Sequence, residues 1–277
     1  MGIYDRDYGR PQQQQYYAMG SGIRGIPPVV KWLLIINFAV YIFSMLVPNI
    51  GEYIYKFGAV DTRSAVNGFQ IWRLVTYQFL HSPIKISHLI FNLMVLYFMG
   101  PFVERSLGSR AFLKFYLICG AAGGVVYTFL ALLHILPAGV MVGASGGIYG
   151  VMAALAIMAP QMRILLWGMI PMTMIRLIIL MVIVSFLFIA IGRNAGGEAA
   201  HLSGLAMGFL YMKYRPWITQ RRMERKKGAW ASKINQERNF RYEVDHILDK
   251  VHRDGVNSLS NNEKKILQEA TRREQEN

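Results

Sequence analysis

Between Lys114 and Arg163 lie 48 consecutive residues without an aspartate, glutamate, lysine or arginine. A water-soluble fold seldom sustains such a run, whereas two membrane crossings require about 20 apolar residues each. The chain is 53% hydrophobic and yet carries a formal charge of +14. Position along the chain reconciles the two values. Residues 1–212 hold 14 basic and 6 acidic side chains, and the last 65 residues hold 16 and 10. High hydrophobicity excludes a disordered chain, and a single cysteine, Cys119, excludes a disulfide scaffold. The pattern is that of a polytopic membrane protein with a charged tail.

Further charge-free windows mark the spans at residues 32–51, 86–103, 177–192 and 199–212. The long window divides near Leu136-Pro137-Ala138-Gly139, where proline and glycine end a helix. Six spans result. With the N-terminus inside, the inner segments up to Lys227 hold 16 basic residues and the outer segments hold 5. That bias places both termini in the cytoplasm. Residues 1–30, with Gln12 to Gln15 and scattered glycine and proline, read as disordered. They lack the apolar core of a cleavable signal.

The first outer loop, roughly residues 48–87, is long and aromatic (Tyr53, Tyr55, Phe57, Phe69, Trp72, Tyr77, Phe79), the composition of a segment lying in the membrane interface. The tail opens with a basic cluster, Arg221-Arg222 and Arg225-Lys226-Lys227, which serves as a topology anchor facing anionic lipid. Val244, Ile247, Leu248 and Val251 have helical spacing, and Ser260-Asn261-Asn262-Glu263 reads as a capping box opening a second helix. A small helical hairpin is expected. Acids interleaved with the bases argue against a nucleic-acid partner.

Polar residues inside spans are costly and mark candidate sites. Three positions qualify: His88 with Asn92, Ser145 among glycines, and His201. At 1.5 Å per residue, Ser145 lies about 22 Å from the inner end of its helix, His88 about 24 Å and His201 about 18 Å. Against a hydrocarbon thickness of roughly 30 Å, all three sit at one depth, some 6–12 Å below the outer boundary. Ser145 in Gly143-Ala144-Ser145-Gly146-Gly147 can be a packing residue. At a helix start, though, its free N–H and the helix dipole suit an oxyanion. His201 precedes a small-residue face, Gly204 and Gly208, that permits close backbone approach. It is either a histidine bonded to a neighbouring carbonyl or a general base for Ser145. His88 and Asn92, four apart, share a helix face and either bridge helices or donate to an oxyanion. No acid lies in the fourth or fifth spans, and Glu198 reads as part of the connecting turn, so a Ser–His dyad is expected. The histidines at 81, 88, 134 and 201 are scattered and no His-Glu-x-x-His occurs, so no metal site is expected.

Six short motifs, in order, resemble the rhomboid intramembrane serine proteases. They are Trp72-Arg73; Phe79-Leu80-His81; His88-Leu89-Ile90-Phe91-Asn92; Pro101-Phe102-Val103-Glu104-Arg105 with Leu107-Gly108-Ser109-Arg110; Gly143-Ala144-Ser145-Gly146; and Ala200-His201 with Gly204 and Gly208. The resemblance covers about residues 30–215. It implies that Ser145 is the nucleophile and His201 its base, with His88, Asn92 and the Ser145 N–H lining the oxyanion hole. It also implies that Gly143 lets the chain turn into that hole, that Tyr149 packs on the histidine, and that Trp72 and Arg73 shape the interfacial loop. The tail resembles the C-terminal extension of some bacterial rhomboids.

The expectation is therefore an all-α polytopic membrane protein. A six-transmembrane-helix rhomboid-like bundle occupies residues 31–215, after a disordered cytoplasmic segment (1–30) and before a basic linker and cytoplasmic helical hairpin (216–277). It would cleave peptide bonds in or beside transmembrane segments of membrane proteins, in a bacterial inner membrane. Its partners would be transmembrane substrates and the lipid bilayer, with no cofactor. Ser185-Phe186-Leu187-Phe188 on the fifth span is a candidate lateral gate. The rival reading is a non-catalytic rhomboid-like module that binds or chaperones membrane proteins. A transporter would more often show repeated halves or interrupted helices.

Overall fold

The structure, a computed structural model, describes residues 25–63, 70–166 and 169–275. The chain divides into two compact units after Lys213. Residues 1–24 and Phe69 lie outside the described residues, as do the side chains of Arg222, Arg225, Lys226 and Lys227.

The first unit is a helical membrane bundle. Helix α1 (Pro28–Leu46) begins at a proline, which suits a first helical turn because its missing N–H would be unpaired there anyway. Residues 28–30 are thus helical rather than part of the tail drawn as 1–30. Helix α2 (Pro48–Gly58) follows at once. After strand β1 (Val60–Asp61) and the short helix α3 (Arg73–Thr76) comes a 3-10 turn, Tyr77–Phe79. The long helices α4 (Ile86–Leu107) and α5 (Ser109–Leu132) lead to strand β2 (Val140–Met141) and helix α6 (Ser145–Met158). A hairpin of β3 (Arg163–Leu166) and β4 (Ile170–Thr173) precedes helix α7 (Met174–Ala190), and helix α8 runs Ala195–Asp254.

By length and composition α1, α4 and α5 can cross a membrane, while α6 and α7 are shorter apolar helices. The sides turned away from the core carry exposed Trp32, Phe38, Leu46, Ile183 and Phe186. In water such a surface would drive aggregation; against lipid tails it costs nothing. Helix α6 is the central one: ten of its residues, Gly146 to Ala156 apart from Tyr149, are buried. Around it pack Leu96, Val103, Phe112, Phe115, Tyr116, Met174 and Leu177 from α4, α5, β4–α7 and their joins.

Two elements depart from the helical expectation. The segment between α6 and α7, in a chain expected to be all-α, is a β-hairpin with Arg163 opposite Thr173 and Leu166 opposite Ile170. Pairing its strands satisfies backbone groups that helices at either side leave without partners. Strands β1 and β2 pair Val60 with Met141 and Asp61 with Val140, tying the first loop to the segment that enters α6.

Glu104 is the polar anchor of the core. It is 1% exposed, and its carboxylate accepts hydrogen bonds from the N–H groups of Val29 and Val30 at 3.0 and 2.7 Å. Ser109 Oγ donates to it at 2.7 Å. A charge from α4 therefore caps the start of α1, where unpaired N–H groups and the helix dipole favour an anion. Glu104→Ala strands those donors in the core and is expected to cost about 2–4 kcal/mol. Unfolding in detergent micelles checks this; wild-type stability in Glu104→Ala would refute the capping role.

The second unit holds the C-terminal part of α8, a 3-10 turn at Val256–Ser258 and helix α9 (Asn261–Gln275). The expected hairpin is present. Gly255, at φ 79°, makes the turn and Ile247 and Leu259 are buried. Val244 and Val251 are half-buried, but Leu248 is exposed. Lys250 Nζ meets Glu263 at 2.9 Å, and Arg273 lies over the Phe240 ring at 4.3 Å. The capping box forms as read: Ser260 N–H donates to Glu263 at 2.7 Å and Glu263 N–H donates back to Ser260 Oγ at 3.3 Å. The Ser260 backbone, then Lys250, hold the Glu263 carboxyl down at about 2. The basic stretch expected as a linker is helical, within the bounds of α8.

Candidate active site

The site is built where α6 starts. Gly143 has φ 137°, and a Cβ there would fall 2.8–2.9 Å from the His88 ring. Only glycine fits that backbone conformation and that space. The Gly143 N–H donates to the Tyr77 carbonyl at 3.0 Å, and Tyr77 Oη donates to Gly120 at 2.6 Å. These bonds hold the entry strand while Ser145 takes the first position of α6, beside the positive end of the helix.

His201 reaches Ser145 because α6 and α8 touch through bare backbone. A Cβ on Gly204 would lie 2.1 Å from the Gly146 carbonyl oxygen, and one on Gly208 would lie 2.7 Å from Gly150. At that separation His201 Nε2 and Ser145 Oγ are 2.8 Å apart. Tyr149, one turn along α6, stacks on the imidazole with centroids 4.3 Å apart and planes 7° from parallel. Its hydroxyl donates to Met181 Sδ on α7 at 3.4 Å.

His88 and Asn92 approach from α4. His88 packs beside Gly143. Asn92 is buried, and its amide donates to His81 Nε2 at 2.9 Å. The His81 and His88 rings are tilted with centroids 5.2 Å apart. His81 stands in the Phe79-Leu80-His81 motif, to which the sequence assigns no place in the site. Its distance along the chain, 11 residues from Asn92 across an irregular turn, hid the pairing.

Trp72 and Arg73 belong to the loop rather than to this cluster. Trp72 Nε1 donates to the Phe57 carbonyl at 3.0 Å. Arg73, buried, donates to the Ala59 carbonyl at 2.6 Å and to Gln70 at 2.5 Å. Tyr55 Oη donates to the His81 carbonyl, joining α2 to the same turn.

Glu198 corrects the reading in which no acid reaches the histidine. It lies in the first turn of α8, not in a connecting turn, because that helix begins four residues before the charge-free window. Its Oε2 is 3.2 Å from His201 Nδ1 and accepts a 2.6 Å bond from Ser185 Oγ. Ser185, expected in the gate, is buried on the inner side of α7, while Phe186 and Leu187 face outward.

Fold and site together define a class: a multi-pass helical membrane protein with a histidine-bonded serine at the start of a central helix. A family model described as the Rhomboid domain matches residues 68–217. A second, described as a family of unknown function (DUF6576), matches residues 232–273. The chain is similar to RHOMBOID-like protein 4 of Arabidopsis thaliana, 24% identical over 76% of this chain and 60% of that one. It is similar to rhomboid protease GluP of Bacillus subtilis, 33% identical over 72% of this chain and 37% of that one. Rhomboid protease GlpG of Haemophilus influenzae is 26% identical over 51% of this chain and 68% of that one. The chain thus spans less than two thirds of the length of the first two. The chain belongs to the rhomboid family.

Proposed function

We propose that the protein is an intramembrane serine endopeptidase that cleaves peptide bonds in or beside transmembrane segments of other membrane proteins. The observation that carries this reading is the 2.8 Å approach of His201 Nε2 to Ser145 Oγ within a bundle whose outer surface is apolar. Membership of a family whose relatives are named as proteases supports it.

In this mechanism Ser145 Oγ attacks the scissile carbonyl carbon while its proton passes to His201 Nε2. The displaced carbonyl electron pair forms an oxyanion, which the Ser145 N–H, His88 and the second N–H of Asn92 receive. Asn92 spends one N–H on His81, which fixes the amide plane and leaves the other donor. Collapse breaks the C–N bond, and the proton on Nε2 goes to the leaving amine. Water then repeats the cycle on the acyl-enzyme. Tyr149 restrains the imidazole by stacking, Gly143 admits His88, and Gly204 and Gly208 set the helix separation. A substrate helix has its carbonyls hydrogen-bonded and must unwind to react, so small helix-destabilising residues are favoured at the cut.

We place both termini in the cytoplasm of a bacterial inner membrane, with six spans formed by α1, α4, α5, α6, α7 and the apolar start of α8. The excess of Lys and Arg on inner segments supports this orientation.

The test pairs a serine-directed fluorophosphonate probe with a transmembrane reporter substrate. Wild type is expected to label and to cleave, and Ser145→Ala to do neither. A wild-type protein that neither labels nor cleaves, where a known rhomboid protease does both, would refute the protease reading in favour of a binding or chaperone role.

A further inference from the structure

We propose that Glu198 is a positioning residue that turns the Ser145–His201 pair into a three-member relay, an inference that rests on the protease reading above. The carboxylate and the serine address opposite nitrogens of one imidazole. Glu198 Oε2 is 3.2 Å from Nδ1, and Ser145 Oγ is 2.8 Å from Nε2. With Nδ1–H donated to Glu198, the lone pair of the neutral ring sits on Nε2, the nitrogen that must take the serine proton. The Tyr149 ring lies flat on the imidazole face and leaves only in-plane partners at its edges.

The carboxylate is itself held in place. Ser185 Oγ donates to the same oxygen at 2.6 Å. Ser185 is 1% exposed and Glu198 8% exposed. A buried anion is costly unless paired and hydrogen-bonded, and here its donors are the catalytic imidazole and the Ser185 hydroxyl. Among the described residues, its side-chain hydrogen bonds are those to Ser185 and His201. Its attraction for His201 grows when the ring takes up the serine proton and becomes imidazolium. During attack the serine proton moves from Oγ to Nε2, the Oγ–C bond forms, and the carbonyl pair moves onto oxygen. Glu198 takes no proton; it retains the Nδ1–H bond and stabilises the cation. The Glu198 carboxylate thus favours the transition state over the ground state.

An acid in the first turn of a helix can also serve the helix dipole alone; that role affects stability and leaves kcat at the wild-type value in folded protein, whereas the positioning role lowers kcat when the charge is removed. Glu198→Gln preserves shape and hydrogen bonding but removes charge; Glu198→Asp preserves charge on a stem one methylene shorter. In the full-length protein in detergent, Glu198→Gln is expected to lower kcat by about 100-fold, with KM within about twofold of wild type. Glu198→Asp is expected to retain more kcat than Glu198→Gln. Wild-type kcat in Glu198→Gln, or a Gln variant at least as active as the Asp variant, overturns the proposal. If thermal unfolding shows that Glu198→Gln does not fold, Glu198→Asp is compared with Glu198→Ala. A higher kcat at equal KM in the Asp variant supports the relay, and equality overturns it. A wild type that fails to label and cleave is a different result, in which the protease reading falls and this proposal with it.

Discussion

His201→Ala is expected to lower kcat for a transmembrane reporter by about 10⁴-fold or more, with KM changed little. The reason is positional. His201 Nε2 lies 2.8 Å from Ser145 Oγ, in the place of the proposed base, and a neutral serine hydroxyl is a weak nucleophile without one. A base acts on the serine proton during attack, so the loss is expected in the chemical step. Combining His201→Ala with Ser145→Ala is expected to cost no more than either alone, because the two residues act as one unit. Single-turnover cleavage of purified variants in proteoliposomes measures this. An additive double variant would mean that serine and histidine contribute independently. A His201→Ala variant within tenfold of wild type would remove the histidine from the base role.

Gly204→Ala is the second large effect, and it arises from packing. The added Cβ would lie 2.1 Å from the Gly146 carbonyl oxygen, where ordinary contact begins at 3.4 Å. The obstacle is backbone in both helices, so no rotamer change relieves it. Helix α8 must retreat by about 1.3 Å, the difference between those two values. Overpacking of this kind costs about 1–3 kcal/mol. It also lengthens the Ser145–His201 approach, since His201 rides on α8 three residues earlier. A misplacement of about 1 Å in a catalytic group costs about 100-fold in rate. Gly204→Ala should therefore lose both thermal stability and kcat. The conservative comparison is Ala200→Gly, on the same helix, which relieves space and leaves the helix separation unchanged. Wild-type melting and turnover in Gly204→Ala would show that the close approach has no role.

Individual residues show which parts of this arrangement could be read in advance. The membrane class followed from charge-free windows, since a desolvated charge is excluded from lipid wherever it lies in the fold. That Ser145, His201 and His88 come together agrees with the positions a constant rise per residue gives them along their helices. The Gly204 and Gly208 face followed from helical periodicity. The tail hairpin and its capping box were equally local. The same charge rule also misled. Charge-free windows end at every acidic or basic residue and so open the sixth after Glu198 and the fifth after Arg176, whereas α8 starts at Ala195 and α7 at Met174. The i, i+3 spacing of Glu198 and His201 was visible, and it places both on one helix face once the helix is extended by a turn.

By itself, then, the sequence determined the solvent this chain folds in, the number of apolar segments it offers and the face on which each polar residue lies, because these depend on composition and helical periodicity alone. Only the tertiary structure decided the partners. Glu104 caps a helix that begins 76 residues earlier, at Pro28, and His81 holds Asn92 across an irregular turn. Val60 pairs with Met141 and Glu198 shares His201 with Ser145. A buried polar group must find a hydrogen-bond partner, but which partner it finds depends on which helices can approach closely. Here that was settled by bare glycine backbone between α6 and α8.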